Sequence, residues 1–241
     1  MDRPEEQAVA GERGRASAAC THIFLSPTRA FDEIGRGAGW LWPFLVCLVL
    51  GLVIFVLSFD IAMRAQLAEI QARNPQAGQN LESVRGFTMV MGILAVPVML
   101  LAGLAISAGI FFAAFQVSGL GLGYKQIFRG VSYAALIYPA GISALVTGLL
   151  IVVKRGGDTD LTLADLTPRI GLDLLGGDGV VRGLLSSVNP FSVWWLVVLV
   201  YGFARLSGRP RAAVLPAILG AGLLWMLATG ALAGLRMPAA G

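Results

Sequence analysis

The chain has 241 residues, of which 56% are hydrophobic and only 13% charged, and a formal net charge of +4. An ordinary soluble domain carries about 25% charged residues, so this composition excludes a water-soluble globule and assigns most of the length to lipid. The basic groups flank apolar runs without interleaved aromatics, which excludes nucleic acid as a partner and suits anionic headgroups of a lipid bilayer.

Residues 1–20 are charged, rich in small residues and aperiodic, and read as a disordered cytoplasmic tail. Ser17-Ala18-Ala19-Cys20 is similar to a lipoprotein cleavage box. Arg3, Glu5, Glu6, Glu12, Arg13 and Arg15 leave no apolar stretch before it, so neither a signal peptide nor a lipid anchor is expected there. Residues 21–241 read as a single membrane domain. Ser26 suits the N-cap and Pro27 the first position of a short helix that Gly35, Gly37 and Gly39 terminate. Ile23, Phe24, Leu25, Phe31 and Ile34 give it an apolar side. The pattern predicts an amphipathic helix over 23–34 lying on the membrane face, anchored by Phe24, Phe31 and Trp40.

Five apolar spans follow, near 40–59, 87–117, 130–153, 190–204 and 212–235. Trp40 and Trp42 fit an aromatic belt at the first interface. In the second span Pro97 introduces a kink, and Gly103, Ala105, Ser107 and Gly109 are small residues one turn apart that favour close helix contact. The third, Gly130–Val153, holds 24 uncharged residues, about 36 Å as a continuous helix and enough to cross a hydrocarbon core of about 30 Å. It carries the polar side chains Ser132, Tyr133, Tyr138, Ser143 and Thr147, and Pro139 at its middle frees the carbonyl of Ala135. Residues 154–189 form the longest loop, where Asp158, Asp160, Asp165, Asp173 and Asp178 alternate with leucines; solvated or interfacial short helices are expected rather than an ion site. Asn189 and Pro190 provide an N-cap and first turn for the fourth span, with Phe191, Trp194 and Trp195 close behind. Gly230 and Gly234 form a GxxxG near the end of the fifth, a packing signal.

The chemistry of most membrane enzymes is missing. The predicted spans hold no Asp, Glu, Lys, Arg or His, whereas proton- or ion-coupled carriers rely on such groups. His22 is the sole histidine, no HExxH or GxxxxGK[ST] occurs, and no intramembrane serine has a basic partner in its own span. The GxGxG of Gly35, Gly37 and Gly39 follows no strand. Cys20 and Cys47 fall in different predicted environments, so no disulfide is expected between them. The expectation is therefore no catalysis, no metal and no cofactor.

Three motifs share an order and spacing. Phe24-Leu25-Ser26-Pro27-Thr28-Arg29-Ala30-Phe31 leads to Trp42-Pro43. Tyr124–Phe128 precedes Tyr133-Ala134-Ala135-Leu136-Ile137-Tyr138-Pro139, and Asn189-Pro190-Phe191-Ser192-Val193-Trp194 opens the fourth span. Over residues 23–235 this series resembles bacterial membrane proteins of the Yip1 family. The resemblance implies a five-helix integral membrane protein with a cytosolic N-terminus and no catalytic residues. Eukaryotic relatives are linked to Rab-type GTPases and vesicle traffic, a role that the Ala/Gly/Arg-rich, bacterial-looking composition argues against carrying over.

Basic residues set the expected orientation. With the N-terminus inside, ten Lys or Arg fall inside and eight outside, and three of the inner ones crowd the seven-residue turn Arg205–Arg211. This density predicts a multi-pass protein of the bacterial cytoplasmic membrane with its N-terminus in the cytoplasm and its C-terminus outside. The expected role is a non-enzymatic scaffold that binds other membrane proteins, or a second copy of itself, or shapes the bilayer. The alternative is a permease for a small uncharged solute through a cavity between spans 2, 3 and 5, lined by Tyr133, Tyr138, Ser132 and Ser143.

Overall fold

A computed structural model describes residues 4–73, 81–155, 170–177 and 179–235. Among them the regular structure is all helical: α1 (Pro4–Leu25), α2 (Pro27–Gly35), α3 (Leu41–Arg73), α4 (Leu81–Val117), α5 (Tyr124–Ala134), α6 (Ile142–Arg155), α7 (Gly179–Ser187), α8 (Pro190–Ser207), α9 (Arg211–Gly234), and one 3-10 turn at Leu172–Leu175. Stretches of α3, α4, α8 and α9 are long and apolar enough to cross a membrane, and Ile142–Val153 of α6 is a shorter apolar helix. Large apolar side chains remain exposed along these helices, among them Val49 and Val53 on α3, Leu94 and Val98 on α4, Val193 on α8 and Leu224 on α9. Water would penalise such a surface, whereas acyl chains match it.

Residues 4–20 depart from the disordered tail expected of them. From Pro4 onward they form α1, which turns at Ser26 into α2. Ala16, Ala19 and Ile23 lie one turn apart on a single face and are fully buried. Alanine also has the highest intrinsic helix propensity, so the small residues that looked aperiodic make a helix with a narrow packing edge. Cys20 packs against the core to which Cys47 belongs, so the two thiols share one environment rather than two; both are free.

Span 3 is broken rather than continuous. α5 ends at Ala134, α6 starts at Ile142, and the connecting residues include a cis Tyr138–Pro139 bond. Pro139 lacks an N–H, and the residue before a proline is disfavoured in helical conformation. The chain spans the break with wide turns, in which the N–H groups of Gly141, Ile142 and Ser143 donate to the carbonyls of Ala135, Leu136 and Ile137 at 2.9, 2.8 and 3.1 Å. Thus the carbonyl of Ala135, expected to be freed, has a partner. A Cβ at Gly141 would lie 1.7 Å from the Leu136 carbonyl oxygen, so only glycine allows this closure. Non-helical backbone at membrane depth is tolerated where protein surrounds it, and Ala135, Leu136 and Ile137 are buried. The break also redirects the chain: α5 packs on α4 and α8, whereas α6 packs on α3.

The GxxxG of α9 receives a loop helix. Cβ atoms at Gly183, Gly230 and Gly234 would all meet backbone across the α7–α9 contact at 2.2–2.8 Å. Of the loop carboxylates, Asp158, Asp160, Asp165 and Asp178 lie outside the described residues. Asp173 is buried, and its carboxylate accepts from the Gly171 N–H at 2.9 Å. It thus fixes a turn rather than facing solvent. The small residues of α4 also differ from expectation: a Cβ at Gly103 or Gly109 would meet nothing within 4 Å, while the close contact of α4 with α3 comes at Gly92, against the Phe55 ring.

Candidate functional site

Two features stand out, one at the end of the bundle where α2 docks and one at the break. α2 lays its apolar face on α8 and α5. Phe31 is 0% exposed. Its ring fills a niche made by Gly130 and Gly202, where added Cβ atoms would approach it to 3.0 and 2.2 Å, and meets Phe203 edge-on at 5.4 Å between centroids. Phe203 continues the stack to Phe111 and Phe115. On the rim, Arg205 donates to the Asp32 carboxylate and fixes α2 to α8. The expectation that helix 23–34 lies with its apolar side on the membrane face is therefore corrected: the apolar face of α2 is consumed by protein packing. Phe24 is half-buried against the same core. Pro27 opens α2, but the Ser26 side chain makes no cap bond, and the turn closes through the Ser26 carbonyl instead. Trp40 is half-buried between Phe44 and Phe128, whereas Trp42 is 44% exposed.

Beside this seat runs an open groove of about 770 Å³, lined by Thr28, Asp32, Tyr201, Arg205, Arg209 and Arg211 among others. Gly208, in the left-handed conformation (φ 63°), ends α8 and turns the chain so that these arginines cluster. The Arg211 guanidinium lies 3.9 Å above the Tyr201 ring, a cation–π contact that holds one wall. With Arg205 engaged by Asp32, the groove keeps a positive balance. In the sequence these arginines served only as a topology signal; their meeting with α2 is a tertiary fact.

At the break, the span-3 residues divide. Tyr133 is buried, and its hydroxyl donates to the Gly39 carbonyl at 2.8 Å, tying α5 to the chain ahead of α3. Ser132 and Ser143 donate to the carbonyls of Phe128 and Pro139 at 2.7 and 3.0 Å, which makes them local braces. Tyr138 and Pro139, by contrast, line a cavity of about 280 Å³ with Gly103 and Ser107 of α4, Trp195 of α8 and Trp225 of α9. The Tyr138 and Trp195 rings stand 6.0 Å apart. Asn189 caps α8: its side-chain oxygen accepts from the N–H groups of Phe191 and Ser192, both at 3.0 Å. Pro190 follows at the first helical position, Phe191 is half-buried and Trp194 exposed. Trp195 and Phe203, which organise the interior, lie outside the motifs of the sequence. Their signal is one of period, since 195, 199, 202 and 203 trace one helical face.

Among the described residues, no group of three or more His, Cys, Asp or Glu is placed to hold a metal ion. The fold and these two features define a polytopic helical membrane protein with a broken third apolar segment and an N-terminal helical hairpin docked on the bundle. The chain belongs to the Yip1 family: the Yip1 domain model matches residues 21–230. It is similar to "Membrane protein YknW" of Bacillus subtilis (strain 168), with 25% identity over 199 residues that cover 79% of each chain. No solved structure matches.

Proposed function

We infer that this protein is a non-enzymatic membrane scaffold, and that it gathers an acidic segment of a partner protein in the groove between α2 and the α8–α9 turn. The observation that carries this reading is the clustering of Arg205, Arg209 and Arg211 beside a docked, structurally fixed α2. Opposite charge in such a groove steers and orients a partner. The absence of a nucleophile–base pair or phosphate loop in the sequence supports the non-enzymatic part. The reading places the protein in a bacterial cytoplasmic membrane with this end inside.

The test is site-specific photocrosslinking in native membranes, with the crosslinker in place of Thr28 and, as a control, of Leu94 on the lipid-facing side of α4. The expected result is a discrete protein adduct from position 28 that disappears in Arg209→Glu/Arg211→Glu. Lipid adducts alone at position 28, or the same protein adducts from position 94, would sink the reading. One observation favours permeation of a small uncharged solute as a second reading: the cavity at the break adjoins spans 2, 3 and 5, with Trp195 of span 4. Flux of such a solute into proteoliposomes separates the two, since a scaffold gives none above protein-free vesicles.

A further inference from the structure

The cavity at the break is lined by two residues whose polar groups the fold leaves unused. Trp195 is 1% and Ser107 3% exposed, and both line the cavity. Neither Trp195 Nε1 nor Ser107 Oγ has a hydrogen-bond partner among the described residues. Each departs from the habit of its type. A buried indole N–H almost always finds an acceptor. Helical hydroxyls commonly bond the carbonyl one turn back, as Ser132, Ser143, Ser207 and Thr229 do in this protein. Two unmatched groups in an otherwise apolar wall are costly unless something completes them. The volume is sufficient. An apolar cavity of about 150 Å³ accepts benzene, and this one reaches about 280 Å³. Its lining contains no ionisable group other than the Tyr138 phenol, so a charged ligand would enter without a counter-charge.

We propose that the cavity at the break is a binding site for a small uncharged molecule with an apolar body and an acceptor oxygen, which Trp195 Nε1 and Ser107 Oγ hold. The site is independent of whether the protein acts as scaffold or permease. A free lipophilic ketone or ester and the ester carbonyl of a membrane lipid share this chemistry.

The probe is acetophenone, a photoreactive aryl ketone, applied to the full chain in nanodiscs of diether lipid, with adducts mapped by peptide mass spectrometry. Saturable labelling of Met99, Leu100 or Leu104 is expected. Methyl benzoate should compete on the order of three- to tenfold better than ethylbenzene, which has no acceptor, as one neutral hydrogen bond allows. Ser107→Ala and Trp195→Phe should each shrink that preference, which a merely structural role would not do. Gly103→Leu, whose Cβ would meet nothing within 4 Å, should abolish labelling by filling the cavity with its side chain. Repeating the labelling in diester discs tells the sources apart: a drop identifies the lipid carbonyl as occupant, and equal labelling identifies a free solute. Should Trp195→Phe fail to fold, the competitor comparison on the unaltered chain still decides. Non-saturable labelling spread over lipid-facing residues, equal competition by the two competitors, or labelling unchanged by Gly103→Leu would overturn the proposal.

Discussion

Phe31 and Trp42 look alike in the sequence, two aromatics near a predicted interface, yet they face different solvents. Phe31 sits on glycines and aromatic edges with no exposed surface, while Trp42 is 44% exposed. Phe31→Ala should therefore cost about 3–5 kcal/mol, as large-to-small changes in tight cores do, and Trp42→Ala only about 0.5 kcal/mol or less. Unfolding in mixed detergent micelles measures both; equal effects would contradict the docking of α2. Cys20 offers a pH-dependent check on α1. Burial pushes its thiol up to about 11, and only the thiolate is an effective nucleophile. Maleimide labelling at about pH 7 should be slow, rising close to tenfold per pH unit until it levels off near 11, as read by intact-protein mass. Fast labelling at neutral pH would mean that α1 is not seated. The apolar character of Phe31 was legible in the sequence. Its partner was not, because Gly202 carries no side chain to announce a niche.

The broken span is the clearest case at the scale of an element. Composition and Pro139 were both visible, and a continuous helix of 24 residues remained the simplest reading of them. Hydropathy measures what dissolves in lipid and is blind to backbone path. The deciding residue is Gly141, whose missing Cβ leaves room for the Leu136 carbonyl. Gly141→Ala should force the wide turns open and cost at least the 1–3 kcal/mol typical of overpacking, while Gly109→Ala on α4, where nothing lies within 4 Å, should be neutral or mildly stabilising. Thermal unfolding of the two variants side by side checks this, and equal melting temperatures would argue against the turn geometry. Asn189 shows the opposite relation. Its capping role could be read directly from Asn-Pro ahead of an apolar run, because a cap is satisfied within four residues.

For the whole molecule, membrane class and family were legible because they rest on properties summed over many residues. Arrangement was less so, since α2 meets α8 across most of the chain length. The proposed orientation, with this end of the bundle inside, rests on its arginines. If α5 and α6 together make one crossing, a periplasmically active phosphatase fused after Gly241 should be active, and a cytoplasm-dependent fluorescent reporter at the same point dark. The reverse pattern would place the groove outside.

The Asp32–Arg205 contact joins residues 173 positions apart. Translation proceeds at about 5–20 residues per second, so α2 leaves the ribosome roughly 9–35 seconds before α8 arrives to cover it. Throughout that interval its apolar face lacks the α8 surface that covers it in the folded chain. The expectation is therefore that the nascent helix first rests at the bilayer surface and closes over the bundle once α8 is in place. Chains stalled before residue 190 should consequently keep α2 within reach of lipid, and completed chains should withdraw it.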